Sequence, residues 1–388
     1  MKKNQKQLLE GSRAIALTIA NIQPEVVSAY PITPQTHIVE DLATLYASGK
    51  SSFEYVRAES EFSAASIVMG ASAAGARTYS ATSGQGLLLM NEVVYCIAGL
   101  RLPVVMTDAN RAISAPINIW NDHSDVMTIR DAGWFQFFAE NHQEAVDQHV
   151  LAYKLAEKHR LPAMINVDGF LVTHLFEPVE IPSTTLIKKF LPKRPVKKGE
   201  VLDPKHPSTL GEFYGPEYYF ESRQKLHEDL MTSIKDINSE YKKLQRIFGR
   251  KNKEARIDNG LLEYCGPKKP KKIIVAMGSV IGTIKETLKD KNHQDVGVLK
   301  IKCFRPFPYQ EVKEILRNSE QVAVLEKISS NGSFSPLYLE LTAALQNEKI
   351  IINNFIAGLG GRDISRAIIK KMLNSISAKN IKPIFLGK

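Results

Sequence analysis

The clearest indication of the fold of this chain lies in residues 77–86, RTYSATSGQG. Small and hydroxyl-bearing residues over Thr78–Thr82 predict a short strand, and Ser83–Gly86 predicts a glycine-broken turn. The apolar run Leu87–Leu100 after the turn predicts a helix. A strand, a glycine turn and a helix in this order place backbone N–H groups and a helix N-terminus at the carboxyl edge of a sheet. Open α/β sheets bind their ligands at that edge.

The same order of strand, turn and helix recurs on both sides of this stretch. The predicted strands are Glu25–Tyr30, Phe53–Arg57, Leu102–Asp108, Phe135–Glu140 and Ala163–Asp168. The predicted helices are Gly11–Ala20, Gln35–Tyr46, Phe62–Gly75 and His142–His159. Strands that alternate with helices in this way predict an α/β fold with a doubly wound, mostly parallel sheet.

Four of the turns carry groups that could act together. They present Thr33, Glu61, the segment Ser83–Gly86 and Arg111. A guanidinium is a natural bidentate partner for a substrate carboxylate. A glutamate against small apolar residues can be desolvated and poised for proton exchange. Because parallel strands all end at one edge, the four groups predict an enzyme site for a small carboxylic acid and an organic cofactor.

Spacing alone leaves a structural role open for each of these groups. Thr33 before Pro34 is a good N-cap with proline at the first helical position. Glu61 could simply complement a helix dipole, and Arg111 could be an ordinary salt-bridged arginine. The Ser83–Gly86 turn could be only a tight connection.

A long irregular segment follows Arg111 and ends with NIWNDHSD, residues 118–125. Loops of this length inside a compact domain are commonly functional. The segment carries His123 together with Asp122 and Asp125. With a single histidine and no second cluster at ligand spacing, we predict no metal site in the chain.

The amino-acid composition changes after the first predicted sheet. From Glu177 to about Pro270 the chain is rich in Pro, Lys and Tyr, and it has one predicted charged helix, Tyr219–Phe248, interpreted as a surface or inter-subunit contact. Alternation of strand and helix then resumes to the C-terminus. We therefore divide the chain into a first domain, 1–259, with a charged extension at about 177–259, and a smaller α/β domain, 260–388.

Composition excludes several classes of protein. The 388 residues carry a net charge of +10, concentrated in Lys188–Lys198 and Lys268–Lys272. Prolines interrupt both runs and aromatic residues are almost absent from them, so we expect no nucleic-acid partner. Three cysteines without a C-x-x-C suit a reducing cytoplasm, and Cys96 is predicted to be buried in a helix. We find no signal peptide and no membrane span.

The absence of several sequence motifs limits the kinds of ligand that the predicted site could bind. The chain has no GxGxxG with a downstream acid and no GxxxxGK[ST], which argues against dinucleotide and P-loop sites. It also lacks a Gly-Asp-Gly that would suit Mg²⁺ and a diphosphate, and it has too few cysteines for an iron–sulfur cluster with four ligands of its own. The predicted site is therefore half of a complete one.

Four ordered motifs resemble one family. They are Ala29–Thr36 (AYPITPQT), Ser60-Glu61, Ser80–Leu87 (SATSGQGL) and Asn110–Pro116 (NRAISAP). This chain resembles the α subunit of the 2-oxoacid:ferredoxin oxidoreductases over nearly its whole length, including Gly360–Asp363 (GGRD). The segment NIWNDHSD favours the pyruvate and branched-chain 2-oxoacid branches over the 2-oxoglutarate branch.

The resemblance implies a reaction and a set of partners. The pyruvate branch converts pyruvate, coenzyme A and oxidised ferredoxin (or flavodoxin) reversibly into acetyl-CoA, CO₂ and reduced carrier, with thiamine diphosphate as cofactor. The α subunit resembles a pyrimidine-type thiamine diphosphate domain followed by a transketolase-C-like domain. Beta, gamma and delta subunits would supply the Mg²⁺–diphosphate half of the site and the iron–sulfur clusters.

The resemblance also implies residue roles. Glu61 would hydrogen-bond the N1′ atom of the cofactor's aminopyrimidine, Arg111 would hold the substrate carboxylate, and Thr33 would contact substrate near the reacting carbonyl. Pro31, Ser83, Gly84 and Gln85 would line the cofactor and Asn118 the substrate. Two alternatives remain open: a 2-oxoisovalerate or other 2-oxoacid enzyme, and a non-catalytic subunit that only holds partners.

Overall fold

The computed structural model describes residues 6–194, 196, 199–376 and 382–387. Residues 195, 197 and 198 of the basic run Lys188–Lys198 lie outside the described residues. The strands are β1 (Gln7–Glu10), β2 (Val26–Ala29), β3 (Glu54–Arg57), β4 (Thr78–Thr82), β5 (Val105–Asn110), β6 (Phe135–Ala139), β7 (Ala163–Asp168), β8 (Phe176–Val179), β9 (Ile257–Asp258), β10 (Leu262–Cys265), β11 (Lys272–Ala276), β12 (Val296–Ile301), β13 (Cys303–Arg305), β14 (Gln321–Glu326), β15 (Ile351–Ile356) and β16 (Ile384–Phe385). The helices are α1 (Gly11–Ile22), α2 (Thr36–Ala47), α3 (Glu61–Ala73), α4 (Gln85–Leu89), α5 (Asn91–Gly99), α6 (Ser124–Met127), α7 (His142–His159), α8 (Thr184–Phe190), α9 (Pro216–Thr232), α10 (Ile234–Phe248), α11 (Val280–Leu288), α12 (Tyr309–Leu316), α13 (Pro336–Ala344) and α14 (Arg366–Asn374).

Two seven-stranded sheets organise the chain. The first has the order β13-β6-β7-β5-β4-β2-β3 and the second the order β16-β15-β14-β11-β12-β10-β9. Strands β2 to β7 of the first sheet pair in parallel, whereas β13 joins it antiparallel. The predicted α/β class is confirmed, with mixed but mostly parallel sheets and a second, smaller α/β unit.

The first sheet places the site because its strands end at one edge. All five residues of β4 are buried, and β4 pairs with β5 on one side and β2 on the other. Helix α3 is built largely of Ala, Ser and Gly, and this composition lets it pack closely over β2 and β4. The turns after β2, β3, β4 and β5 therefore converge.

Three local predictions were wrong. The predicted helix Leu87–Leu100 is two helices, α4 and α5, divided at Met90. The predicted helix Tyr219–Phe248 is also two, α9 and α10, divided at the buried Ser233. Cys96 is exposed, because α5 buries Val93, Val94, Ile97 and Ala98 and turns Cys96 outward.

The two sheets are connected more closely than a boundary at 259/260 suggests. Strand β9 joins the second sheet from just before that point, and β13 joins the first sheet from beyond it. The division therefore stays a prediction. Buried ion pairs cross between the two units: Lys300 contacts Glu140 at 2.7 Å and Glu144 at 3.2 Å, and within the second unit it contacts Glu263 at 2.9 Å.

Lys300→Met is expected to destabilise the protein. The Lys300 side chain is 3% exposed, and its removal leaves Glu140, Glu144 and Glu263 to share the two remaining lysines of the cluster, Lys285 and Lys302. Breaking a buried pair from one side costs about 3–5 kcal/mol. Thermal unfolding would show this as a lower Tm. The control is Lys289→Met, which breaks an exposed ion pair with Glu286. An unchanged transition in Lys300→Met would contradict the structural role.

The same cluster gives a pH dependence with a definite sign. Burial would raise the pKa of Glu144, but Lys300 and Lys302 outweigh it and lower the pKa to about 2. A carboxylate with a depressed folded pKa stabilises the protein above its ordinary pKa and loses that contribution as the pH falls towards 2. Lys300→Met should therefore lose less free energy of unfolding than wild type as the pH falls from about 5 towards 2, because Glu144 contributes less of the pH dependence. Thermal unfolding at a series of pH values measures this difference.

Candidate functional site

Glu61 and the glycine turn lie against each other. Glu61 begins α3, and the Ser60 hydroxyl caps that helix by accepting from the Ser63 N–H at 3.1 Å. A Cβ on Gly86 would lie 2.8 Å from Glu61 Oε1 and 2.6 Å from Thr82 Oγ1. Glycine at position 86 therefore allows the carboxylate to approach the backbone of the turn.

Two polar groups at this turn have no partner among the described residues. Glu61 is 8% exposed, and no hydrogen bond or ion pair is made by its carboxylate within the described part of the chain. Both amide atoms of Gln85 are buried without a hydrogen bond there. Buried polar groups are normally satisfied, so these two fit a bound molecule that offers both donors and acceptors.

Arg111 spans three turns. Its Nε donates to the Asn118 carbonyl at 3.0 Å and its Nη1 donates to the Thr33 carbonyl at 3.1 Å. Its aliphatic stem crosses Gly84, where a Cβ would lie 2.9 Å from Arg111 Cδ and φ is +52°. The geometry thus brings Arg111 to Thr33 and to the glycine turn, as the sequence predicted.

Thr33 is in the predicted place but does not cap a helix. Helix α2 begins at Thr36, after Gln35, and it has no side-chain cap. Instead the Gln35 side chain closes the turn, accepting from the Ile32 N–H at 3.3 Å and donating to the Ala81 carbonyl at 2.7 Å. Thr33 and Pro31 are exposed on this turn, so the Thr33 hydroxyl is available to a ligand.

Ser83 and Asn118 are engaged within the protein. The Ser83 hydroxyl is buried and donates to the Ala109 carbonyl at 2.6 Å, which connects the turn after β4 to the end of β5. Asn118 accepts from the Trp120 N–H at 2.7 Å and donates to the Gly360 carbonyl at 3.2 Å. Asn118 therefore links the loop to the Gly360 turn of the second unit.

Sequence reasoning missed the residue that links these turns, Asp125. It is fully buried, and its Oδ2 accepts from the N–H of Gly84 at 3.0 Å and from the N–H of Arg111 at 2.7 Å. Burial raises the pKa of Asp125 to about 6, although the N–H groups of Arg111 and Gly84 lower it. Burial and the adjacent Asp125 also hold the pKa of the buried Asp108 well above its usual range.

A second buried group attaches the loop to the second unit. His123 Nε2 lies 2.8 Å from Asp168 Oδ1, and Lys327 Nζ lies 2.6 Å from Asp168 Oδ2. Burial would raise the pKa of Asp168, but Lys327 and His123 hold it well below its usual range. A cavity of about 650 Å³ lies beside this loop, and its lining includes Asn118, Asp122 and Gly360.

Within the described residues, one sheet edge therefore presents a carboxylate and an amide without hydrogen-bond partners beside a fixed guanidinium. This is the class of α/β protein that presents polar groups to a ligand at the carboxyl edge of a parallel sheet. The chain belongs to the pyruvate flavodoxin/ferredoxin oxidoreductase family. The model of its thiamine diphosphate-binding domain matches residues 18–243, and the model of pyruvate:ferredoxin oxidoreductase core domain II matches residues 271–369.

Curated relatives cover almost the entire chain. Pyruvate synthase subunit PorA of Methanocaldococcus jannaschii is 42% identical over 98% of this chain and 97% of its own. The PorA subunit of Thermotoga maritima is 43% identical over 93% of this chain and 92% of its own. Ketoisovalerate oxidoreductase subunit VorA of Pyrococcus abyssi is 38% identical over 94% and 92%. The family resemblance carried by the four motifs is confirmed.

A solved structure shares the fold. It is 2-oxoglutarate:ferredoxin oxidoreductase from Magnetococcus marinus with 2-oxoglutarate, coenzyme A and succinyl-CoA bound, with a TM-score of 0.70 at 20% identity. The match covers 97% of this chain and 66% of that one. Within the part of the chain described here, no helix is long and apolar enough to cross a membrane.

Proposed function

We propose that this chain is the α subunit of a pyruvate:ferredoxin oxidoreductase. The enzyme would oxidatively decarboxylate pyruvate with coenzyme A, give acetyl-CoA and CO₂, and pass two electrons to ferredoxin or flavodoxin. The Glu61 carboxylate against Gly86, which has no hydrogen-bond partner among the described residues, supports this proposal most directly, because it is free to bond a ligand beside the buried Gln85 amide. The PorA relatives, at 40–43% identity, favour pyruvate over the ketoisovalerate alternative.

Glu61, Gln85 and Thr33 are the residues that would face thiamine diphosphate and substrate. Thiamine diphosphate, when bound, supplies the carbon nucleophile and the electron sink for decarboxylation. Glu61 would share a proton with the N1′ atom of the aminopyrimidine, and Gln85 would offer its unpartnered amide beside it. Thr33 would donate its hydroxyl towards the substrate carbonyl.

Arg111 would bind the pyruvate carboxylate. Its stem is fixed by Gly84 and its backbone by Asp125, so the guanidinium is preorganised. The Nε and Nη1 atoms of Arg111 donate to the Asn118 and Thr33 carbonyls and fix the orientation of the guanidinium. Its Nη2 atom remains to donate to the substrate. A fixed fork of donors matches a planar carboxylate better than a flexible ammonium does.

The partner subunits would complete the site. No described segment of this chain provides cysteines arranged for an iron–sulfur cluster, so the clusters and the Mg²⁺–diphosphate half belong to beta, gamma and delta subunits in this proposal. The exposed face around Glu61, which includes Phe62 and Leu89, suits such a partner. We place the complex in the cytoplasm.

The test is an anaerobic assay of the purified complex with a viologen dye, coenzyme A and a panel of 2-oxoacids. Dye reduction chiefly with pyruvate supports the proposal. Turnover chiefly with 2-oxoisovalerate keeps the chemistry and changes the substrate. An intact complex that is loaded with thiamine diphosphate but turns over no 2-oxoacid would leave the non-catalytic subunit as the better account.

Arg111→Lys is expected to raise the KM for pyruvate by about 10-fold with a smaller change in kcat. Lysine keeps the positive charge but loses the bidentate fork, and about 1.4 kcal/mol corresponds to this factor. The measurement is steady-state kinetics over a range of pyruvate concentrations. Arg130→Lys is the control, because Arg130 lines the cavity beside Asn118 and its side chain is 41% exposed. Equal KM values for Arg111→Lys and wild type would remove Arg111 from carboxylate binding.

A further inference from the structure

A second cluster of ligating side chains lies outside the site described above. Glu10 at the end of β1, His37 in the first turn of α2 and His174 after β7 bring their ligand atoms within 4.8 Å of one another. The three residues come from separate elements and are far apart in sequence. For this reason no spacing motif reveals them, and a metal site at these residues could not be predicted from the sequence.

The chemistry of the three groups suits a cation. His37 Nδ1 lies 2.6 Å from Glu10 Oε1, and the rings of His37 and His174 are 4.4 Å apart. Imidazole nitrogens and carboxylate oxygens both carry lone pairs that a divalent metal ion accepts, so the three side chains together form a set of possible ligands.

The surroundings also favour a positive ion. Asp41 lies one turn further along α2, close enough that the charges of Glu10 and His37 influence its pKa. The one nearby cation that the described contacts show is Arg13, which is paired with Asp41 at 2.7 Å. The His37 side chain is 45% exposed, so an ion has a path from solvent.

We propose that Glu10, His37 and His174 form a binding site for a divalent metal ion of the zinc type. Two imidazole nitrogens and one carboxylate oxygen are a ligand set that Zn²⁺ accepts, with water in the fourth position. Small side-chain rotations bring donors that lie within 4.8 Å of one another to the ~2.0–2.2 Å that each bond to the metal needs.

The ion would act as a structural link. It would join α2 to β1 and the segment after β7, which are already connected to each other by backbone hydrogen bonds such as the Ser12 N–H to the Thr173 carbonyl at 2.9 Å. Phe170 packs on His174 at 4.8 Å and on Trp120 at 4.4 Å, so the link would also steady the loop that carries Asn118. This inference does not depend on the proposed function, because binding and unfolding can be measured without turnover.

The experiment is a Zn²⁺ titration of the untagged full-length chain in competition with a chromophoric chelator. We expect one equivalent to bind, a Tm that rises with zinc concentration, and Co²⁺ substitution to give a visible absorption band. His37→Gln and His174→Gln should each weaken binding by at least ~10-fold, the loss that even outer-shell partners produce. They should also remove the zinc-dependent rise in Tm.

Two further variants keep the result interpretable. Glu10→Gln retains a hydrogen-bond acceptor for His37 but removes the negative charge. The variant should therefore fold as the wild type does but bind zinc less tightly. His206→Gln alters an exposed histidine–aspartate pair elsewhere, with His206 Nδ1 2.9 Å from Asp203, and should bind zinc as the wild type does. Absence of an equivalent of bound zinc, or equal binding by wild type and both His37→Gln and His174→Gln, would overturn the proposal.

Discussion

Glu61→Gln is expected to abolish turnover of pyruvate by the assembled enzyme. Glutamine occupies the same volume at the start of α3 but cannot share a proton with the cofactor ring. Proton transfer by a positioned side chain contributes about 10²–10⁴-fold to a rate, so kcat should fall by a factor in this range. The measurement is viologen reduction by the purified complex at saturating pyruvate and coenzyme A.

Local geometry supplies a matched control. Glu59 is an exposed carboxylate two residues earlier whose side chain accepts a hydrogen bond from Ser63. Glu59→Gln should leave turnover unchanged. Release and quantification of thiamine diphosphate from each variant separates loss of chemistry from loss of the cofactor. Activity of a cofactor-loaded Glu61→Gln complex within about threefold of wild type would exclude general acid–base chemistry at Glu61.

Much of the fold could be predicted from local pattern. Strands β4 and β7 and helix α7 lie at the predicted residues. Each strand is a short run that ends just before a turn with glycine, at Gly84 and Gly169, and α7 repeats apolar residues at helical spacing. The four turns that carry Thr33, Glu61, Gly84 and Arg111 converge because parallel strands end at one edge.

The errors arise where tertiary contacts outweigh local preference. Thr33 and Pro34 read as an N-cap and a first helical position, but the buried Gln35 amide closes that turn by bonding across to Ala81. The average hydropathy of Leu87–Leu100 is high enough to suggest burial throughout. On α5, however, Glu92 and Cys96 lie four residues apart and share the exposed face.

Asp125 could not have been assigned its role from sequence. It lies 14 residues after Arg111 in the chain, and its neighbours suggested at most a weak metal cluster. Its position depends on the loop before it, which is held by contacts with the second unit, such as the His123 N–H to the Lys327 carbonyl at 2.8 Å. Only the packing of the two units makes that geometry visible.

Asp125→Asn is expected to lower kcat/KM for pyruvate by at least about 100-fold, because it loosens both turns that present Arg111. One oxygen of Asp125 accepts from the N–H groups of Gly84 and Arg111. Asparagine must place either its amide oxygen or its NH₂ group opposite the two backbone N–H groups. In either orientation it loses charge-assisted hydrogen bonds worth about 1.5–3 kcal/mol each. Steady-state kinetics checks this, and the KM for coenzyme A should change less than the KM for pyruvate.

Asp108→Asn provides both the control and a test of the raised pKa values. Burial and Asp125 hold the pKa of Asp108 well above its usual range, which favours its neutral form, and asparagine is a neutral residue of the same size, so turnover should stay near wild type. The raised folded pKa values mean that the wild type loses stability as the pH rises through about 6. Thermal unfolding at pH 4 and at pH 8 measures this loss. Asp108→Asn removes one of the two titrating groups, so its unfolding midpoint should fall less than that of wild type over this range. If Asp108→Asn loses as much activity as Asp125→Asn, the two aspartates act as a catalytic pair, and Asp125 is more than a positioning residue.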